Sequence, residues 1–135
     1  MNGKKFFVAF IAAFVVVFVF GYIWFGMLMH SAHQEVPALW RSGPDFGWLI
    51  LGHVAIAFFF TMIFVRGFGS GGGTGGGFRY GLLVGLLFAS NDCISYAVQP
   101  LTTKILGGWI VGDVLMFAIA GLVVGALYKP SSTTA

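Results

Sequence analysis

The chain has 135 residues, of which 59% are hydrophobic, 18% aromatic and only 8% charged, and its formal net charge is +3. A soluble domain carries about 25% charged residues, so this composition cannot cover a water-facing surface. Seven Lys and Arg scattered along so apolar a chain do not make a nucleic-acid surface, and the single cysteine, Cys93, excludes an intrachain disulfide and a multi-cysteine metal site.

A membrane-spanning helix needs about 20 mostly apolar residues, and four segments meet that requirement. The first runs over 6–29, after Lys4 and Lys5. It is about twice the length of a signal-peptide core and ends in Tyr22, Trp24 and Phe25 rather than in small residues. A retained helix is expected. The loop from His30 to Phe46 follows, and Pro37 within Val36–Arg41 suits the first turn of a short helix lying at the interface.

The second span covers 47–65. Next comes a stretch of Gly, Ser and Thr with one phenylalanine over 67–77, which reads as a flexible linker on the cytoplasmic side. The third and fourth spans cover 79–98 and 107–128, and the short loop between them predicts antiparallel neighbours. The tail Ser131–Ala135 is expected to be disordered. No segment alternates with the period of barrel strands, and only helices or closed barrels satisfy the backbone in lipid. The fold class is therefore all-α, a four-helix membrane bundle forming one domain. A faint repeat between Trp48-Leu49-Ile50-Leu51-Gly52-His53-Val54 and Trp109-Ile110-Val111-Gly112-Asp113-Val114 suggests two duplicated hairpins.

Orientation follows from the basic residues of the short loops. An inner N-terminus puts Lys4, Lys5, Arg66, Arg79 and Lys129 inside and Arg41 and Lys104 outside. This predicts a multi-pass protein with both termini in the cytoplasm. Trp24, Trp40, Trp48 and Trp109 then fall near the outer interface, where an indole is comfortable.

Gly67-x-Gly69-x-x-Gly72 matches a dinucleotide fingerprint in letters only, because no strand precedes it. Gly81-x-x-x-Gly85, Gly108-x-x-x-Gly112 and Gly121-x-x-x-Gly125 have the spacing that lets membrane helices pack closely. His30, His33 and Glu35 share a helical turn that could face a metal. A membrane edge is polar in any case, so no metal site is expected there.

Three titratable residues lie inside spans: His53, Asp92 and Asp113. Such residues are costly in lipid and usually face the bundle interior. Each lies about six residues from the outer end of its helix, roughly 9 Å deep at the helical rise. Tyr22 reaches a similar depth, and Asn91 adjoins Asp92. This layer is read in three ways: a buried hydrogen-bond network, a ligand or proton site, or a cofactor ligand at His53 for a haem or pigment. No catalytic set is found, since HExxH and GxSxG are both missing.

The element Gly21-Tyr22-Ile23-Trp24-Phe25-Gly26, with Trp40 and the Gly121–Gly125 stretch, resembles small four-helix bacterial membrane proteins classed as a domain of unknown function. The resemblance implies the topology and no activity.

The expected function is non-enzymatic. The first reading is an accessory subunit of a respiratory or photosynthetic type of membrane complex. The alternative is a small oligomeric transporter or channel using the His/Asp layer. Lipid and other membrane subunits, or further copies of the chain, are the expected partners, and nucleic acid is not. No cofactor is assigned.

Overall fold

A computed structural model describes residues 1–68 and 72–129. The regular structure of the described residues is all helical, and four helices are long and apolar enough to cross a membrane. The protein is thus an all-α, multi-pass membrane bundle.

Helix α1 (Gly3–Gly21) starts at Asn2, whose side chain accepts from the Lys5 amide at 3.1 Å. It continues without a break into a π-helical segment, Tyr22–Leu28. A short α2 (His30–His33) and a 3₁₀ turn (Pro37–Leu39) complete the crossing to α3 (Phe46–Phe68). The short interfacial helix expected over 36–41 is thus one 3₁₀ turn, with Pro37 in its first turn. Helix α4 (Gly73–Val98) and α5 (Thr103–Leu127) form the second hairpin, and Thr102 caps α5 by accepting from Ile105 N at 3.2 Å.

The observed helix limits correct the linker. The flexible stretch expected over 67–77 is largely helical, since α3 reaches Phe68 and α4 begins at Gly73. Residues 69–71, with Gly69 of the fingerprint-like run, lie outside the described residues, as do 130–135 and hence the tail. The physical reason for the early start of α4 is its contact with α5. A methyl group on Gly77 or Gly81 would strike the backbone carbonyl of Gly121 or Phe117. Gly85 likewise sits under Val114, 2.8 Å from a built methyl to its Cα. Glycine here gives close backbone approach rather than flexibility. Of the small residues singled out in the sequence, Gly81, Gly85, Gly121 and Gly125 lie in this seam, which Gly73 and Gly77 extend.

Helix α5 is the centre of the bundle, packed most extensively on α4 and then on α1, while α1 carries α3 on its other side. Ala9, Ala13 and Val17 repeat every four residues on α1 and are buried in the same core as Met116, Phe117, Ala120 and Val124. The α1–α3 contact is built from rings, with Phe58 edge-on to Phe6 and Phe10. The two hairpins therefore differ, one joined through glycine and the other through phenylalanine. Tyr80 ties α4 to α3 by donating to Phe60 O at 2.7 Å. At the opposite end α3 stands free, with residues 46–52 all exposed. The two chain ends meet, as Lys5 Nζ donates to Lys129 O at 2.9 Å.

Candidate functional site

The glycine seam sets the register of α4 against α5, and this brings two carboxyl groups together. Gly81 faces Phe117 and Gly85 faces Val114. Asp92 and Asp113 are then about two turns apart along the antiparallel pair. Helical side chains lean toward their own N-terminus, so in an antiparallel pair these two lean toward each other. Their side chains meet, and they are 8% and 9% exposed. Two ionised carboxylates are acceptors only, so their contact is a hydrogen bond only when a proton lies between them. Asp92 Oδ2 is itself buried with no hydrogen-bond partner among the described residues.

The pair lines an open, shallow cleft of about 320 Å³ together with Phe25, His33, Trp40 and Trp109. Each wall has a local cause. The π-helical segment turns Trp24 and Phe25 onto α5, where Trp24 Nε1 donates to Gly108 O at 2.9 Å. Gly112 leaves room for both rings, since a methyl there would strike the Trp24 indole and lie 2.9 Å from Phe25 Cζ. Gly108 does the same for Met29. These two glycines thus pack against the end of the first span, whereas the other four named in the sequence join α4 to α5.

Residues 29–40 cover the end of the bundle. Met29, Ala32, Leu101 and Ile105 form a small core that holds α2 to the start of α5. Trp109 Nε1 donates to His33 Nε2 at 3.0 Å, and the His33 and Trp40 rings lie 4.3 Å apart. Indole is a donor only, so Nε2 accepts and the neutral Nδ1–H tautomer is the one that fits. Burial, followed by the neighbouring His30, holds the His33 pKa below its ordinary value of 6.5. Lys104 and Glu35 add an exposed ion pair at 3.4 Å, which contributes little in water.

No protein family, curated protein or solved structure matches the chain. The site therefore stands on its own geometry.

Of the layer expected from depth, the structure unites Asp92 and Asp113 and places the others elsewhere. His53 turns toward α1: its Nδ1 donates to Leu49 O at 2.7 Å, its ring meets Phe18 edge-on at 5.2 Å, and its Nε2 sits over Gly21. The expected approach of His53 to Asp113 is thus replaced by packing on the first helix. Tyr22 is 63% exposed on the π-helical segment, and Asn91 is exposed on α4. Ser90 and Ser95 are satisfied within α4 by Leu86 O and Asn91 O. His30, His33 and Glu35 go three ways, to Gln34, Trp109 and Lys104.

Phe25, His33, Trp40 and Trp109 are the site residues that reading by depth passed over. Trp109 carried a signal, because it lies four residues before Asp113 and so on the same helical face. His33 and Trp40 carried none, since they sit on the short helix and turn between the first two spans, whose path the sequence does not specify.

Proposed function

We propose that the chain is a small, non-enzymatic membrane protein that admits a cation to the Asp92–Asp113 pair, a proton in the simplest case, as a transporter or channel component. A single observation carries this reading: a buried carboxyl pair, with one acceptor unpartnered among the described residues, lines an open cleft at one end of the bundle. Buried acidic groups in a span are costly, and in membrane proteins they mark ion and proton paths. The positive-inside count puts the cleft on the outer face of a bacterial inner membrane.

The test is proton entry into vesicles reconstituted with the chain and loaded with a pH-sensitive dye. Asp113→Asn preserves shape and hydrogen bonding and should abolish entry while leaving thermal unfolding near that of the parent. Asp113→Leu removes the polar group from a buried pair and should also lower stability. Proton entry through Asp113→Asn at the parental rate would rule out the carboxyl pair as the working group.

A second reading is an accessory subunit of a larger membrane assembly of respiratory or photosynthetic type. It is favoured by Asn91 and Cys93, exposed within the α4 span, and by the uncovered first half of α3. An exposed amide at membrane depth calls for a protein neighbour. Gentle solubilisation should then yield the chain with stoichiometric larger partners, whereas recovery of the free chain alone counts against it.

A further inference from the structure

We propose that the cleft takes an organic ammonium ion, a cation carrying an apolar body. This rests on the reading of the carboxyl pair as a cation site and specifies its ligand class. Asp92 and Asp113 provide the negative charge, and among the described residues no donor offsets it at Asp92 Oδ2. The remaining walls are rings: Phe25, Trp40 and Trp109, with His33 against both indoles.

A hard divalent ion is a poor match for this set of groups. Calcium takes about 6–8 oxygen ligands and magnesium needs an octahedron of them, whereas the cleft pairs two carboxyl groups with aromatic faces. Among the described residues no three His, Cys, Asp or Glu side chains lie close enough together to share a metal. An alkylammonium group uses both features, since its charge meets the carboxylates and its methyl or methylene shell lies on ring faces. Cations are drawn to such faces within about 6 Å of the ring centre, most strongly to indole.

The rings are also held in place. Trp109 is fixed by its bond to His33, and Trp40 lies 4.3 Å from His33 and perpendicular to Trp109 at 6.3 Å. A preformed aromatic wall loses little freedom when a ligand arrives. The volume of about 320 Å³ falls at the lower end of small-molecule sites, which run from about 300 Å³ upward. It is far more than a dehydrated metal ion fills.

The experiment is calorimetric titration of the full chain in detergent micelles with benzyltrimethylammonium, and with neopentylbenzene as its uncharged isostere. Saturable binding of the cation alone is expected. Asp92→Asn combined with Asp113→Asn should abolish it. Trp40→Leu should weaken it about tenfold, and Trp40→Phe, which keeps a ring face, should restore most of the affinity. Among the described residues Trp40 donates no side-chain hydrogen bond, so both variants are expected to fold. Binding that survives the double Asn variant, or equal binding of neopentylbenzene, would overturn the proposal. Absence of binding with proton entry intact would overturn the ligand class and leave the cation-site reading standing. Absence of both would remove the two together.

Discussion

Replacing Gly77 with Ala adds one methyl group and separates two accounts of the glycine run. In a flexible linker the change would be silent. In the structure the new carbon lies 2.9 Å from Gly125 Cα and 3.0 Å from Gly121 C, and strikes Gly121 O. Ordinary contact between such carbons is about 3.5–4.0 Å, so α4 and α5 must part by at least roughly 0.6–1 Å at this level, and further to clear the carbonyl oxygen. A gap of that size forfeits about a quarter to a half of the dispersion attraction of the contacts beside it. Overpacking of this kind costs about 1–3 kcal/mol. Exchanging Gly for Ala in a helix returns at most about 1 kcal/mol of that. The control is Gly52→Ala on α3, where nothing lies within 4 Å of the built methyl and only the helix-propensity gain remains. Thermal unfolding in detergent, followed by tryptophan fluorescence, should show Gly77→Ala melting several degrees below the parent and Gly52→Ala at or above it. Equal melting temperatures for the two variants would refute the close-packed seam.

His33 predicts a pH dependence. Its pKa in the fold lies below the unfolded value of 6.5, so the unfolded chain binds the proton first. The stability it supports is complete above pH 6.5 and declines as pH falls through the folded pKa. His33→Gln should flatten this part of the melting-temperature profile, and a parent that melts no lower at pH 5 than at pH 8 would contradict it. For topology, single cysteines in a Cys93→Ser background should label from outside at Ser42 and Thr103 and be protected at Asn2 and Lys129. Outside labelling at Lys129 would reverse the orientation.

Composition and run length were enough to determine four membrane helices, because a backbone in lipid must satisfy its own hydrogen bonds and each run is long enough to span. The depth of each titratable residue was legible for the same reason, since every residue advances a helix by the same rise. Direction around the helix was not legible, because it depends on which neighbours the helix chooses. His53 has the depth of Asp113 and still faces Phe18 and Gly21, whereas Asp92 turns onto the seam with α5. The glycines show the same division. Their spacing marked close packing at Gly81, Gly85, Gly121 and Gly125, but Gly73 and Gly77 looked like linker until α5 lay against them. Only the tertiary structure decided the cleft, because its walls come from a π-helical segment, a loop and two helices far apart in sequence. What joins them is the small volume of Gly108 and Gly112, which lets the end of the first span lie against α5.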